Sequence, residues 1–228
     1  MWKIVVSGLF DEGESEEALE EDRRTKNMRM LDCFCGIGGV SNGFSLEGFD
    51  VTGIDIVDAP KMLGYKHRFI QADMFVLKGE DFRGFDVVWG SPPCRDFTIL
   101  NDKHGTKTAW KDPKNPQRGM ILVKDFVRFC NDAQPKFWIL ENVVGLKKHM
   151  SEQLPFIPLR LAIRIGWKRH VFYGEFPEPE MPKIRKFKIR NSCGWDKLAH
   201  WKRSKIPLAC SRAFAVACRE KLLEVLGV

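Results

Sequence analysis

Short apolar segments that alternate with helical segments are the feature that most constrains the fold of this chain. Runs typical of β-strands occur near 29–34, 51–56, 68–71, 85–89, 136–140, 167–173 and 184–190. Segments with helical spacing of apolar residues lie near 39–47, 117–133, 152–165 and 207–226, and a long loop is expected over 95–118. Strands that alternate with helices predict an α/β fold built on a doubly wound, mostly parallel sheet.

Charged or reactive side chains fall at or just after the predicted strand ends. They are Asp32, Asp55, Asp73, Cys94 and Glu141. In open α/β sheets, ligands bind in the crevice beyond the carboxyl ends of the strands. We therefore expect these side chains to lie at the ligand-binding edge of the sheet.

The charge of the chain is unevenly distributed. The 228 residues carry a formal net charge of +7, but residues 147–228 alone contain 18 Lys/Arg and 7 Asp/Glu. This basic third also contains several Trp, Tyr and Phe residues, a combination that suits a polyanion such as nucleic acid. A solvated basic surface with core aromatics is the alternative interpretation.

The cysteine content indicates a reducing environment. Seven cysteines without paired C-x-x-C spacing favour neither a disulfide framework nor a zinc site, so we expect no metal. We find no apolar run of about 18 residues and no signal-peptide pattern, so we expect no membrane association. A cytoplasmic location fits these features best.

Three glycines shape the turn between the first strand and the first helix. Gly36, Gly38 and Gly39 let the chain turn sharply and let a ligand approach the backbone. Asp55, about twenty residues further on, can accept both hydroxyls of a ribose, and Asp73 can accept from an adenine amino group. The turn alone is also compatible with NAD, a phosphate or a structural corner, and an Asp at a strand end often caps a helix. The series of three strand-end aspartates favours a cofactor site.

Two further motifs follow apolar strands. One is G-S-P-P-C at residues 90–94, and the other is E-N-V at residues 141–143. Together with D-x-F-x-G-x-G-G at residues 32–39, they resemble the DNA cytosine-5 methyltransferases in order and approximate spacing. The resemblance spans residues 28–226. It implies a Rossmann-like, S-adenosylmethionine-dependent methyltransferase fold, with S-adenosylhomocysteine as a product.

The chemistry of cytosine methylation requires both a thiol and an acid. Carbon 5 of cytosine is too poor in electrons to attack a sulfonium methyl group, so Cys94 is predicted to add at carbon 6. Glu141 is predicted to relieve the resulting charge at ring nitrogen 3. The sequence does not name the base that removes the carbon-5 proton, and an ordered water could serve. Methyltransferases acting on exocyclic amino groups share the S-P-P start but need an aromatic residue in place of Cys94.

The resemblance also implies roles on the cofactor side. Phe34 would pack against the adenine, beside Asp32 and the glycine turn. Pro92 and Pro93 would shape the corner that presents Cys94, with Pro92 also on the cofactor side. The final motif of the family returns to line the cofactor pocket, and Ser211 is the residue carried over from it.

Three residues are predicted on the substrate side. Lys183-Ile184-Arg185 occupies the place of the family's Arg-x-Arg element, whose cations hold the flipped base and its phosphate. Lys183 and Arg185 are therefore predicted to bind substrate, and Arg185 also to take part in catalysis. Lys183 departs from the family pattern, and lysine lacks the planar two-point contact of guanidinium. Asn142 is expected to anchor the Glu141 loop.

Four regions are predicted. Residues 1–27 are an acidic and flexible extension, and 28–175 form the catalytic, cofactor-binding domain. Residues 176–204 form a small basic target-recognition region, and 205–228 contain a helix that returns to the catalytic domain. Only residues 188–204 separate the Lys183 element from the last motif. We therefore expect low or short sequence specificity, a specificity-providing protein partner, or a non-duplex substrate.

The predicted function is the transfer of a methyl group from S-adenosylmethionine to carbon 5 of cytosine in DNA, after the base leaves the stack. Two alternatives remain open at this point. One is the same chemistry on transfer RNA, and the other is a nucleic-acid-binding protein that has lost turnover. We expect the protein to act in a prokaryotic cell, encoded either by the cell or by a virus that infects it. The sequence does not distinguish between three biological roles: the partner of a restriction enzyme, a methyltransferase of a viral genome, and an orphan regulator.

Overall fold

The computed structural model describes residues 28–97, 117–165, 168–182 and 206–227, and within them the chain builds one seven-stranded sheet. The strands are β1 (Arg29–Cys33), β2 (Asp50–Asp55), β3 (Arg68–Gln71), β4 (Val87–Gly90), β5 (Phe137–Val143), β6 (Leu159–Ile165) and β7 (Lys168–Glu175). Their order is β3-β2-β1-β4-β5-β7-β6. The first five strands are parallel, and β7 runs antiparallel to both β5 and β6. The predicted doubly wound, mostly parallel α/β sheet is confirmed.

Helices connect the strands and cover the sheet. They are α1 (Gly39–Leu46), α2 (Ala59–Leu63), α3 (Gln117–Ala133), α4 (Leu146–Gln153) and α5 (Leu208–Leu226). Short 3₁₀ turns lie at Met74–Val76, Gly79–Phe82 and Arg95–Phe97. Of the helices in the described ranges, none combines the length and the apolar character that crossing a membrane requires.

The strand order reverses at β1, and this reversal places the site. From β1 the chain first builds outward through β2 and β3, then returns to add β4 and β5 on the other side. Connections that leave β1 and β4 in opposite directions open a crevice beyond their carboxyl ends. Asp32 lies in β1, and Cys94 follows β4.

Both faces of the central strands are buried. In β4, Val87 and Trp89 pack on the side of α1 and α5, whereas Val88 packs on the side of α3. The Trp89 ring makes edge contacts with Phe44 of α1 and Phe214 of α5. Parallel strands covered on both faces read as continuous apolar runs, which explains the uninterrupted pattern seen in the sequence.

The helix predicted over 152–165 is wrong. The structure has helix α4 ending at Gln153 and strand β6 over Leu159–Ile165. Pro155 and Pro158 interrupt any helix here, because proline lacks the N–H that a helix interior needs. The β6 residues also alternate between half-buried and exposed positions, which is the two-residue period of a strand. The predicted strand 184–190 lies outside the described residues.

Candidate active site

A cavity of about 450 Å³ opens at the strand-order reversal. Its volume lies within the range of small-molecule sites, about 300–1,000 Å³. Of the residues predicted from sequence, the cavity is lined by Asp32, Phe34, Gly36, Gly39, Asp55, Pro92, Cys94 and Glu141. The structure therefore brings the proposed nucleophile, the proposed acid and most of the proposed cofactor residues to one space.

The turn after β1 has an unusual backbone. Phe34, Gly36 and Gly38 all have positive φ, at 63°, 50° and 76°. For Phe34 this left-handed conformation costs roughly 1–2 kcal/mol, because its Cβ crowds the following carbonyl. A side chain at Gly38 would also come within 3.2 Å of the Tyr65 ring. Backbone strain of this kind clusters at ligand sites, where the surrounding structure holds it in place.

Asp55 ties the glycine turn to β2. Its Oδ2 accepts from the N–H of Gly36 at 2.9 Å, and its Oδ1 accepts from the N–H of Val57 at 3.1 Å. The residue is only 7% exposed, and burial raises the pKa of its carboxyl. Each carboxylate oxygen has a further lone pair, so Asp55 can hold the turn and still accept from a ligand hydroxyl.

Asp32 is buried beneath the same turn. Its Oδ2 accepts from the N–H of Ser41 at 3.0 Å and from the Ser41 hydroxyl. The hydroxyls of Ser41 and Tyr65 are 2.8 Å apart, so the network reaches the β2–β3 connection. Burial raises the pKa of Asp32 to about 7. Because water is excluded, the charged form is costly at this position.

A fixed corner presents Cys94. The Ser91 hydroxyl accepts from the indole N–H of Trp89 at 2.8 Å at the start of the corner. After the corner, Asp96 accepts from the N–H of Gly119 at 2.8 Å and so ties this segment to α3. Between these two anchors, Cys94 is half-buried and lines the cavity.

Asn142 joins the Cys94 corner to the strand that carries Glu141. Its side-chain amide donates to the Pro92 carbonyl at 2.9 Å, and its amide oxygen accepts from the N–H of Val143 at 2.9 Å. Asn142 is 1% exposed and is not among the cavity-lining residues. The structure therefore places Asn142 behind the cavity wall, where it links the two segments, and its predicted contact with substrate stays a prediction.

Glu141 has a partner that sequence reasoning missed. Its Oε1 lies 2.6 Å from Nδ1 of His170, which belongs to the neighbouring strand β7. Both residues are 7% exposed, and both line the cavity. The sequence signal was a polar residue on the same strand face as the buried Phe172.

Arginines also line the cavity without having been predicted. Arg95 follows Cys94 directly, and Arg118 lies in the first turn of α3. A cation immediately after the P-P-C corner was the signal in the sequence. Both arginines therefore border the cavity that Cys94 also lines.

Two predicted cofactor residues lie elsewhere. Asp73 caps the 3₁₀ turn that follows it, where its Oδ1 accepts from the N–H of Phe75 at 3.1 Å, and it does not line the cavity. Ser211 is fully buried, and its hydroxyl is 3.1 Å from the carbonyls of Gly39 and Leu208. The last motif instead reaches the cavity through Ile206.

Two other predictions have no structural outcome. Lys183 and Arg185 lie outside the described residues. Gly38, in contrast, is described but does not line the cavity, and it serves as the N-cap of α1.

The fold and the cavity define an α/β protein with a glycine-turn ligand site that also holds a thiol and a carboxyl group. The sequence model of the family described as C-5 cytosine-specific DNA methylase matches residues 28–161, which is more than half of the chain. The chain belongs to this family.

Individual relatives are similar over part of their length. The Type II methyltransferase M1.HphI of Haemophilus parahaemolyticus is 34% identical over 153 residues, which cover 62% of this chain and 39% of the relative. The Type II methyltransferase M.FnuDI of Fusobacterium nucleatum is 28% identical over 201 residues, which cover 74% of this chain and 55% of the relative. The chain thus spans about half the length of these curated relatives or less. The Entamoeba histolytica methyltransferase EhMeth matches with a TM-score of 0.47 and 16% identity, covering 72% of this chain and 57% of that one.

Proposed function

We propose that this protein transfers a methyl group from S-adenosylmethionine to carbon 5 of cytosine in DNA, through a covalent bond to Cys94. The observation that carries the proposal is the shared cavity. Cys94 and Glu141 line the same space as Asp32, Phe34 and Asp55, although they come from different strands. Membership in the C-5 cytosine-specific DNA methylase family supports this reaction over methylation of an amino group.

The residues of the cavity fit S-adenosylmethionine. The left-handed turn at Phe34 and Gly36 lets the backbone border the cavity directly. Asp55 has accepting capacity left for ribose hydroxyls, and the Phe34 ring offers an apolar surface for adenine. When bound, the cofactor supplies an electrophilic methyl group on a sulfonium ion.

The chain's own groups act on the cytosine ring. The Cys94 thiolate forms a bond to carbon 6, and the displaced ring electrons make carbon 5 nucleophilic. Glu141 donates a proton at ring nitrogen 3, which relieves the negative charge that the addition creates. Carbon 5 then takes up the methyl group, and an ordered water removes the carbon-5 proton. The electrons of that C–H bond re-form the ring double bond as the bond between sulfur and carbon 6 breaks, and Glu141 recovers its proton from nitrogen 3.

Rigid placement of the two groups follows from the sheet. Cys94 follows β4, and Glu141 lies in the adjacent parallel strand β5, one residue beyond the last β4–β5 pair, Gly90 with Leu140. The Asn142–Pro92 hydrogen bond adds a direct link between the two segments. Positioning of this kind removes orientational entropy from the reaction.

Further parts of the proposal concern the partner molecules. DNA is the proposed substrate, and the excess of basic over acidic residues in 147–228 supports binding to a polyanion. Lys183 and Arg185 stay proposed contacts to the flipped base and its phosphate. The short segment 188–204 favours low or short sequence specificity, or a protein partner that supplies it. A cytoplasmic location in a prokaryotic cell, or in one infected by a virus encoding the chain, completes the proposal.

Product analysis tests the proposed function. The protein is incubated with duplex DNA and methyl-labelled S-adenosylmethionine, and the DNA is digested to nucleosides for mass spectrometry. We expect labelled 5-methylcytosine from the wild type and from Cys130→Ala, a buried cysteine of α3 outside the cavity. Cys94→Ser is expected to abolish transfer.

Other products would change the conclusion. Labelled N4-methylcytosine or N6-methyladenine would contradict carbon methylation. Label on transfer RNA but not on DNA would move the substrate and keep the reaction. Binding of DNA without methyl transfer to any nucleic acid would favour the alternative function, a nucleic-acid-binding protein that has lost catalytic turnover.

A further inference from the structure

His170 and Glu141 form a buried pair at the cavity wall. The Nδ1–Oε1 distance of 2.6 Å is shorter than the roughly 2.7–2.9 Å usual for a charged N–H···O bond. The two residues come from the antiparallel strands β5 and β7, and His170 lies opposite Val143. The sheet register therefore fixes how far the imidazole reaches toward the carboxyl group.

We propose that His170 is a positioning residue that decides which oxygen of Glu141 carries the acid proton. This inference rests on the proposed function, because it assigns Glu141 the role of proton donor. The Nδ1–H group of His170 donates to Oε1, so that oxygen acts only as an acceptor. The acid proton is left on Oε2, the oxygen available to the cytosine ring.

The proton balance of the step follows directly. As the Cys94 sulfur bonds to carbon 6, ring electrons shift to nitrogen 3, and the Oε2–H group donates its proton there. When the sulfur–carbon bond breaks, the proton returns from nitrogen 3 to Oε2. The Nδ1 proton of His170 stays on the imidazole throughout and fixes the orientation of the carboxyl group.

The burial of the pair explains why the Glu141 carboxyl group needs a hydrogen-bonding side chain to orient it. A carboxyl group has two equivalent oxygens, and in water either can hold the proton. Glu141 is 7% exposed, so bulk solvent has little access to it. The neighbouring backbone is itself fixed, because the N–H of Val144 donates to the carbonyl of Arg169 at 3.0 Å. His170 therefore holds a defined position relative to Glu141.

Substitution of His170 provides the kinetic test. His170→Leu removes the donor, and His170→Asn keeps an N–H group near the position of Nδ1. Loss of a hydrogen bond to an ionisable group is expected to reduce kcat by about 10- to 100-fold in His170→Leu. We expect KM for DNA and for S-adenosylmethionine to change by less than about three-fold. The lost hydrogen bond is not one that stabilises the bound substrate and the transition state equally.

Rescue separates this role from packing. The kcat of His170→Asn is expected to be at least about ten-fold higher than the kcat of His170→Leu. His67→Leu is the matched control, because His67 also makes a hydrogen bond, 2.9 Å from Asn42, and does not line the cavity. It is expected to retain wild-type kcat. Unchanged kcat in His170→Leu, or equal losses in His170→Leu and His170→Asn, would overturn the proposal.

A measurement without turnover tests the hydrogen bond itself. Long-range ¹⁵N–¹H correlation spectra of the full chain report which imidazole nitrogens carry protons, and His170→Asn assigns the His170 signals. We expect a proton on Nδ1, and a shifted Nδ1 resonance in Glu141→Gln. A Nδ1 without a proton would overturn the proposal. If the wild type has a protonated Nδ1 but transfers no methyl group, the hydrogen bond is supported and only the proposed function is contradicted.

Discussion

The side-chain amide of Asn142 donates a 2.9 Å hydrogen bond to the backbone carbonyl of Pro92. This bond links the corner that presents Cys94 to the strand that carries Glu141. The two reactive groups come from segments about fifty residues apart in sequence, so their separation depends on such links. Asn142 therefore acts on the geometry of the site from behind the cavity wall.

Replacing Asn142 by Ala is expected to lower kcat by about 10- to 100-fold, because small displacements of reacting groups are costly. It also leaves the Pro92 carbonyl and the Val143 N–H without their partner, which costs roughly 1–3 kcal/mol in the free energy of unfolding. Methyl-transfer kinetics and denaturant unfolding measure the two effects. Asn131→Ala, an exposed asparagine of α3, is the matched control. Wild-type kcat in Asn142→Ala would contradict the linking role.

The carboxyl group of Asp32 predicts a pH-dependent stability. Burial raises its pKa from 3.8 to about 7 in the folded state, so the folded chain binds this proton more tightly than the unfolded chain. The free energy of unfolding should then fall as pH rises through the interval between those values, by up to about 4 kcal/mol from this group. Asp32→Asn should remove that fall. Denaturant unfolding of both proteins from pH 4 to 8 tests this, and parallel curves would refute it.

The contact between α1 and α5 predicts a strong packing effect. A side chain at Gly43 would approach the Ser211 hydroxyl to 2.2 Å and the N–H of Arg212 to 2.8 Å. Gly43→Ala is therefore expected to lower the free energy of unfolding by about 1–3 kcal/mol, although alanine favours helix. Ser45→Ala, at an exposed site of the same helix, should change it by less than about 0.5 kcal/mol. Thermal unfolding of the two variants gives the comparison, and equal Tm values would argue against close packing here.

The basic third of the chain predicts salt-sensitive binding to DNA. Each phosphate contact contributes a slope of about −0.9 to the logarithm of the binding constant against the logarithm of salt concentration. Lys202 and Arg203 are two basic residues of the segment 188–204. Replacing both by Gln should reduce the magnitude of that slope by about 2 if each contacts one phosphate. Lys66→Gln, an exposed lysine outside the basic third, should leave the slope unchanged. Fluorescence anisotropy with a labelled duplex measures it. A flat salt response of the wild type would contradict phosphate binding.

Local sequence signals predicted the positions of strand-end residues well. Asp32, Asp55, Cys94 and Glu141 were placed at or just after strand ends, and all four line one cavity in the structure. Asp73 was placed in the same way, but it caps a 3₁₀ turn and does not line the cavity. Parallel strands of one sheet bring their carboxyl ends together, so local strand signals were sufficient for this result. The error at 152–165 was local as well, since Pro155 and Pro158 and the alternation of β6 were visible in the sequence.

The partner of Glu141 could not be predicted in the same way. His170 reaches Glu141 only because β7 runs antiparallel to β5 with Val143 opposite His170. That register is set by long-range strand pairing and not by any local pattern. Ser211 shows the same limit, because its burial between α5 and α1 depends on the close approach of Gly43.

Trapping of the covalent intermediate tests the central claim most directly. A duplex that carries 5-fluorocytosine is incubated with the protein and S-adenosylmethionine, and the products are separated by denaturing electrophoresis and weighed by mass spectrometry. Because fluorine cannot leave as a proton does, we predict a stable protein–DNA adduct in the wild type and in Cys130→Ala. The adduct should be absent in Cys94→Ser. An adduct that persists in Cys94→Ser, or methyl transfer to cytosine without any adduct in the wild type, would contradict Cys94 as the nucleophile.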